Sequence, residues 1–252
     1  MKISSVISFL FLVLLRWGHH QSHIEGPSKM VLVPGNDEIE SFYMDQYELT
    51  IAEFAEFVEA TGYVTEAEKL GGTMRLKGGT NWEIIEGKAW NRHTLLDENG
   101  IEETLDKIPE FRNHPVMHLA PSDVQAYANW VNKRIPTLQE WMHAVKAGQK
   151  DYQYAYPGGN DLRKLGWYEG NTDSWFPMDV GTKMPNELGI YDLVGNAAEV
   201  VLLEKGSQEF QVRGGTFFSS KMFLEPERKA PIGAVWNRPL DMIGIRLVKD
   251  VQ

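Results

Sequence analysis

Cysteine is absent from all 252 residues of the sequence. Disulfides, thiolate metal sites and cysteine nucleophiles are therefore excluded from this chain. Basic residues are also few, because Lys and Arg total 25 against 35 for Asp and Glu, and the net charge is −10 with neutral histidine. No basic stretch offsets this charge, which argues against a nucleic-acid partner.

Long apolar runs are scarce, and the clearest one follows Lys2 and ends at Leu15. It is shorter than the ~20 residues that a membrane-spanning helix needs, and it has the length of a signal-peptide core. We interpret residues 1–18 as a signal peptide or an uncleaved membrane anchor and residues 19–29 as a linker. We therefore expect an exported protein, periplasmic or extracellular, that contacts a membrane only through this N-terminal segment.

The remaining residues, 30–252, have the composition of one domain rich in ordered loops. The whole chain is 42% hydrophobic and 11% aromatic, with 23 Gly and 12 Pro. That content is enough to bury one substantial core or two small ones. The sequence shows no internal repeat and no linker that would divide this part of the chain.

Local signals predict the helices. Thr50 and Thr137 each stand three residues before a glutamate, which is the spacing of a capping box at a helix N-terminus. Thr65 is predicted to cap a short helix between them. A further helix is predicted to open at Ser122 or Asp123, because the apolar residues that follow recur at helical spacing.

Strands are predicted from short runs of β-forming residues that end at turn signals. The predicted strands are Met30–Gly35, Ser41–Thr50, Val116–Leu119, Phe210–Phe218 and Ile243–Lys249. Residues 73–111 are polar and irregular, and a loop of that length is either functional or mobile. The sequence leaves both interpretations of residues 73–111 open.

The stretch Asn186–Glu199 concentrates oxygen donors around a sharp turn at Gly195-Asn196. The carboxylates of Asp192 and Glu199 and the carbonyls of Gly195 and Ala197 are such donors. Calcium takes six to eight oxygen ligands and accepts carbonyls from irregular loops. Spacing alone favours a buried turn in which the two carboxylates cap neighbouring amides.

The same stretch, Asn-Glu-Leu-Gly-Ile-Tyr-Asp-Leu-Val-Gly-Asn-Ala-Ala-Glu, resembles the signature loop of the formylglycine-generating (sulfatase-modifying factor) family. That family reads N-x-x-G-L-Y-D-x-x-G-N-x-W-E-W here. Further similarity lies in residues 61–72, 114–141, 210–218 and 243–249. The resemblance implies an α+β fold, the family's variant of the C-type-lectin-like fold, with short antiparallel strands, two main helices and many ordered loops.

The resemblance also implies structural calcium. One family site corresponds to Asp192, Gly195, Ala197 and Glu199. A second begins at a Gly-Asn pair that corresponds to Gly170-Asn171, with Asn171, Thr172 and Asp173 as its ligands here.

The family's enzymes hold copper through two cysteines and use them to oxidise a cysteine of their sulfatase substrate. The matching positions here are Ser219 and Leu224. Oxygen and carbon do not replace the soft thiolates that bind Cu(I), so we expect no copper and no formylglycine generation. Other departures lie at positions that hold a disulfide or two Trp residues in the family: Ala128, Leu247, Ala198 and Val200.

These observations predict a non-catalytic, exported, calcium-stabilised module that binds a protein or a glycan or serves in assembly. The alternative is an enzyme with non-cysteine chemistry on the same scaffold, for example in the oxidative maturation of a small molecule. Ser219 would then need a base, for which His143 and Glu225 are the candidates. His114 and His118 form a possible metal pair but are more simply read as structural histidines.

Overall fold

The computed structural model describes residues 30–77, 81–92, 104–172, 176–228 and 238–251. The predictions for residues 1–29 and for Asp173 lie outside these ranges. Within them no helix is long and apolar enough to cross a membrane.

The helices are α1 (Ile51–Thr61), α2 (Glu66–Leu70), α3 (Pro121–Trp130), α4 (Leu138–Val145) and α5 (Leu162–Leu165). The first four strands are β1 (Met30–Val33), β2 (Phe42–Asp45), β3 (Gly72–Lys77) and β4 (Asn81–Glu86). The last four are β5 (Ala198–Leu202), β6 (Phe210–Arg213), β7 (Ile243–Gly244) and β8 (Val248–Asp250). Short 3-10 turns lie at Leu105–Lys107, Pro109–Phe111 and Lys221–Phe223.

The strands form three small sheets with the orders β1-β2-β8, β3-β4 and β6-β5-β7. Every pairing of these strands is antiparallel except that of β5 with β7, in which Ala198 lies opposite Ile243. The C-terminal strands β7 and β8 join different sheets, so the end of the chain ties β2 to β5. This architecture confirms the predicted α+β fold with short, mainly antiparallel strands.

The helix starts follow from side-chain capping. Thr50, Thr65 and Thr137 each accept a hydrogen bond from the backbone N–H three residues on, and the glutamate at that position accepts one in return from the threonine N–H. These three predicted starts are confirmed. Helix α3 begins at Pro121, one residue before the predicted range, because Asp123 Oδ2 accepts the Ala120 N–H at 2.7 Å.

The structure corrects two of the strand predictions and the prediction of an irregular loop at residues 73–111. Residues 116–119 form no strand, since Val116 makes a single backbone bond to Leu49 and His118 has a positive φ of 62°. The predicted strand Ile243–Lys249 is interrupted between β7 and β8. There the Ile245 carbonyl accepts the N–H of Leu49, which follows β2, and the Leu247 carbonyl accepts the N–H of Asp45, the last residue of β2. Residues 73–111 contain the hairpin β3–β4, which polar composition had hidden.

The core has two main parts that meet at strand β5. Helices α1 and α3 pack with Val200 and Ile243 in one part. Helix α4 packs with the β1-β2-β8 sheet and Val201 in the other. Neighbouring residues of β5 point to opposite faces of a strand, so β5 and the loop before it lie between the two clusters.

Candidate functional site

The loop from Asp192 to Glu199 is buried throughout and is held by Glu48, which is itself fully buried. Glu48 Oε1 accepts the Ala197 N–H at 2.8 Å, and Glu48 Oε2 accepts the Asn196 side-chain amide at 2.6 Å. Burial, followed by the charges of Asp192 and Glu199, raises the pKa of Glu48 well above its usual value. The carboxylate of Glu48, which lies between β2 and α1, therefore fixes the turn that was predicted from Gly195-Asn196.

Glu199 is engaged on both of its oxygens. Arg246 donates from Nη2 and Nε to Glu199 Oε1 at 2.7 and 2.9 Å, and the Trp141 indole N–H donates to Oε2 at 2.6 Å. Arg246 also donates to the carbonyls of Tyr191 and Asp45. The guanidinium thus connects the loop to strands β2 and β5.

Asp192 has one oxygen in use and one without a partner. Its Oδ2 accepts the Gly181 N–H at 2.6 Å, whereas its buried Oδ1 contacts no donor in the part of the chain that is described. Burial raises the pKa of Asp192 to about 6, and Glu199 adds to that rise. Together with Glu48, the loop places three buried carboxylates around the single guanidinium of Arg246.

The predicted ligands of the other calcium site lie in a local turn. Asn171 Oδ1 accepts the Tyr168 N–H at 2.9 Å, and Asn171 Nδ2 donates to the carbonyl of Gly166 at 2.9 Å. The Thr172 N–H donates to the Tyr168 carbonyl. The Asn171 side chain therefore already closes a turn, and its amide nitrogen is bonded to the main chain.

The donors near Asp192 fit calcium in part. The orphaned Asp192 Oδ1 is a hard, anionic ligand in a buried and negatively charged setting, which suits calcium. Glu199 could join only by sharing oxygens that Arg246 and Trp141 already use. Across the described ranges, no three His, Asp or Glu side chains group as a metal centre, so further ligands would be carbonyls such as those of Gly195 and Ala197.

Comparison with known proteins places the chain in a family. Residues 13–251 match the sulfatase-modifying factor enzyme 1-like domain. The chain belongs to the sulfatase-modifying factor family. The resemblance found in the sequence is thereby confirmed over nearly the whole chain.

The chain is similar to relatives that are named as enzymes and to relatives that are named as inactive. It is 33% identical over 190 residues to the formylglycine-generating enzyme of Bos taurus, covering 64% of this chain and 48% of that protein. It is 30% identical over 202 residues to inactive C-alpha-formylglycine-generating enzyme 2 of Bos taurus, covering 69% and 62%. The chain spans about half the length of the first of the curated relatives it matches.

The fold is also similar to a solved structure, that of PvdO from Pseudomonas aeruginosa. The TM-score is 0.58 at 18% identity, and the match covers 89% of this chain and 92% of that one. At this identity the likeness concerns the fold alone, and it agrees with the family's α+β architecture.

The two positions that are cysteine in the family's enzymes lie side by side around Gly215. A side chain at Gly215 would collide with Leu224 Cδ2 and would lie 3.4 Å from Ser219 Oγ. Ser219 Oγ accepts the Thr216 N–H at 3.0 Å and lies 3.2 Å from Thr216 Oγ1. Leu224 is 1% exposed and packs in an apolar cluster with Tyr156, Leu162, Leu165, Tyr168 and Val194.

The other departures from the family pattern are packing residues here. Ala198 and Val200, at the positions of the two Trp residues, are buried in strand β5. Ala128 and Leu247, at the positions of the disulfide, are fully buried in the same core cluster. Small apolar side chains therefore fill this part of the core.

Neither of the residues suggested as a base for Ser219, His143 and Glu225, bonds to its hydroxyl in the described part of the chain. A ring nitrogen of His143 lies 2.7 Å from the Pro34 carbonyl, and Glu225 is exposed. In the described part of the chain, no titratable side chain hydrogen-bonds Ser219 Oγ. One small cavity among the described residues lies elsewhere, lined by Trp90, His114 and His118 among others.

His114 and His118 have different partners. His114 Nε2 lies 3.4 Å from Asp179, and His118 Nδ1 lies 3.5 Å from Asp241. Burial lowers the pKa of His118 to about 4. Both rings therefore sit beside carboxylates, and burial favours the neutral form of each.

Sequence reasoning did not assign a role to Arg246, to Arg213 or to the carboxylate of Glu48. Arg246 lies in the Ile-Gly-Ile-Arg motif, and Arg213 immediately precedes Gly214-Gly215. The available signal was an arginine within an apolar segment of the sequence. Because Arg is almost never fully buried without a partner, such a residue indicates a buried ion pair or hydrogen-bond network. The partner of such a residue cannot be identified from spacing.

Proposed function

We propose that this chain is an exported, calcium-stabilised binding or assembly module of its family that does not generate formylglycine. The observation that carries the proposal is the packing of Leu224. Its buried side chain fills an apolar cluster beside Ser219, where the family's enzymes place their thiols. This position therefore contributes to folding stability, and it offers no nucleophile or soft metal ligand.

The surface next to this position supports a binding role. Phe218, Met222 and Phe223 are 47%, 56% and 42% exposed. They lie within six residues of one another, and grouped exposed apolar side chains mark interaction sites. Aromatic and Met side chains are enriched where proteins bind proteins. A protein partner is favoured over a glycan because the exposed side chains are apolar and Met adapts to varied protein surfaces.

A relative of similar identity supports the absence of catalysis. The Bos taurus protein that is 30% identical carries the name inactive C-alpha-formylglycine-generating enzyme 2. In the described residues, no titratable side chain hydrogen-bonds Ser219 Oγ. The alternative, an enzyme with non-cysteine chemistry, therefore has no support at this position.

Calcium belongs to the same proposal. Asp192 Oδ1 and the carbonyls of Gly195 and Ala197 would hold the ion, which would neutralise part of the charge of three buried carboxylates. Bound calcium would stabilise the loop and would supply no chemistry. The proposed export rests on the apolar run that ends at Leu15, and N-terminal sequencing of secreted protein would test it.

The binding role is tested by affinity capture with surface variants. Full-length protein is used as bait in extracts of its own source, beside a variant with Phe218, Met222 and Phe223 changed to Ser. We expect one protein to be recovered by the wild type and lost with this variant. It should be retained by a control with the exposed Leu32 and Val64 changed to Ser.

The catalytic half is tested separately. A sulfatase-type cysteine peptide is incubated with the protein, copper and oxygen, and the product is followed by mass spectrometry. Formylglycine above a no-protein control would overturn the proposal, as would a partner bound equally well by the Ser-substituted surface.

A further inference from the structure

Arg213 is a buried cation without an anionic partner in the described residues. It is 4% exposed, and its Nε has no hydrogen-bond partner there. Its Nη groups donate to two neutral acceptors, the side-chain carbonyl of Gln211 and the main-chain carbonyl of Arg228, the latter at 3.3 Å. A buried charge with only neutral partners is costly to the folded state.

Two other arginines that are buried or partly buried, Arg246 and Arg134, do have anionic partners. Arg246 is paired with Glu199, and Arg134 is paired with Glu140 and Asp250. Burial alone accounts for the lowered pKa of Arg213, so no described carboxylate offsets its desolvation. Residues 229–237, which follow Arg228 in the chain, include no Asp or Glu.

Arg213 is linked to the exposed apolar surface described above through Arg228. Its Nη1 contacts the main chain of Arg228, and the Arg228 guanidinium carbon lies 5.6 Å from the centre of the Phe223 ring. Residues 218–228, here called the 218–228 face, also present the exposed Lys221. Two cations therefore accompany Phe223 on this face, and a third, the buried Arg213, bonds to the main chain at its end.

We propose that Arg213 binds a carboxylate group of a partner protein, carried by an acidic and apolar peptide segment that docks on the 218–228 face. This inference rests on the proposed binding function. The buried Nε, which has no partner in the described residues, and a neighbouring Nη would form the fork that recognises both oxygens of a carboxylate once the docking segment displaces the residues that cover them. Gln211 and the Arg228 carbonyl are neutral acceptors, and a carboxylate would displace them with a gain in charge pairing.

A peptide fits the face better than a sulfated glycan does. Phe218, Met222 and Phe223 offer apolar area that a peptide's aliphatic side chains can cover, while a sulfated sugar covers it poorly. The exposed Glu225 and Glu227 in the same segment also disfavour a ligand with many anionic groups, and Glu227 already pairs with Lys146. One carboxylate among apolar residues suits the observed arrangement.

The experiment selects peptides from a random library on the full-length protein, and then remakes the best binder with each Asp or Glu changed to its amide. We expect one such change to weaken binding to wild-type protein about tenfold or more, the loss typical of a buried charge pair. With Arg213→Gln the acidic and amide peptides should bind with nearly equal affinity. Arg163→Gln, at an exposed arginine, should behave as wild type.

Two further measurements keep the result interpretable. Phe223→Ala changes an exposed residue and should weaken both peptides alike without altering the melting temperature. The acid-to-amide comparison on wild-type protein needs no variant, so it holds even if Arg213→Gln fails to fold. Selected binders that lack Asp and Glu, or that lose equal affinity with and without Arg213, would overturn the inference.

The outcomes also separate this inference from the proposed function. Peptides that need Phe223 but show no preference for a carboxylate would overturn the role of Arg213 and leave the binding module intact. A failure to select any binder would count against both. Heparin binding that depends on Arg213, in place of peptide binding, would replace the partner protein with a sulfated glycan.

Discussion

Arg246 and Glu199 form an ion pair that is closed to solvent on both sides, with 0% and 1% of their side chains exposed and 2.7 Å between Nη2 and Oε1. The Trp141 indole N–H completes the coordination of the carboxylate. The pair joins the C-terminal segment to strand β5 and, through the Tyr191 carbonyl, to the loop that precedes it.

Replacing Glu199 by Gln should destabilise the protein severely. The change removes the carboxylate to which Arg246 is hydrogen-bonded, and breaking a buried ion pair on one side typically costs about 3–5 kcal/mol. Urea unfolding of wild type and variant measures the difference. The control is Glu227→Gln in the pair with Lys146, where Glu227 is 78% exposed and the expected loss is below about 1 kcal/mol. Similar small losses for both variants would show that the buried pair contributes little.

Calcium should raise the melting temperature, and chelator should lower it. Binding to the folded state alone adds about 2.7 kcal/mol at a hundredfold excess over Kd. Asp192→Asn removes the charge of the orphaned oxygen and should abolish the calcium effect. It is a cleaner test than Glu199→Gln, which also breaks the pair with Arg246. Melting curves that coincide with calcium and with excess chelator would instead favour a capped turn.

Local chemistry made much of the secondary structure predictable. The capping boxes at Thr50, Thr65 and Thr137 depend on residues three apart, so the sequence alone contains both partners. The turn at Gly195-Asn196 was predictable for the same reason, and Asn196 does adopt a positive φ of 54°. The family motifs added the fold class, which spacing could not supply.

The partners within the site could not be predicted, because they are distant in sequence. Glu48 and Asn196 are separated by 148 positions, and Glu199 and Arg246 by 47. Their pairing depends on the order of strands in the sheets, which local periodicity does not encode. His118 shows the opposite failure, since its left-handed backbone interrupts residues whose composition favours a strand.

Gly195 should tolerate no side chain. Its φ is 82°, and a Cβ there would collide with the Trp167 carbonyl, whereas Gly206 has φ 81° and open space around it. Gly206→Ala should therefore cost about 1 kcal/mol, the price of a left-handed backbone alone. Gly195→Ala should cost several times more or prevent folding, as measured by thermal unfolding and soluble yield. Equal losses would mean that the loop can move away from Trp167.

Acid should destabilise the protein through His118. Burial lowers the pKa of His118 to about 4, Asp241 opposes that shift, and Lys88 and Arg75 add to it. The unfolded chain binds a proton below its ordinary value of about 6.5 while the folded chain does not, so this contribution is lost as the pH falls from about 6.5 to about 4.

The loss from His118 should approach about 3 kcal/mol at 1.36 kcal/mol per pKa unit. Burial raises the pKa of Asp45 and Asp192 to about 6, and these groups act in the opposite direction over the same range, so wild type alone is not diagnostic. His118→Asn keeps a residue that tolerates the left-handed backbone and removes the titrating ring. Urea unfolding at pH 7 and pH 4.5 should show a smaller acid loss in the variant. An equal loss in both proteins would place the acid sensitivity at another group.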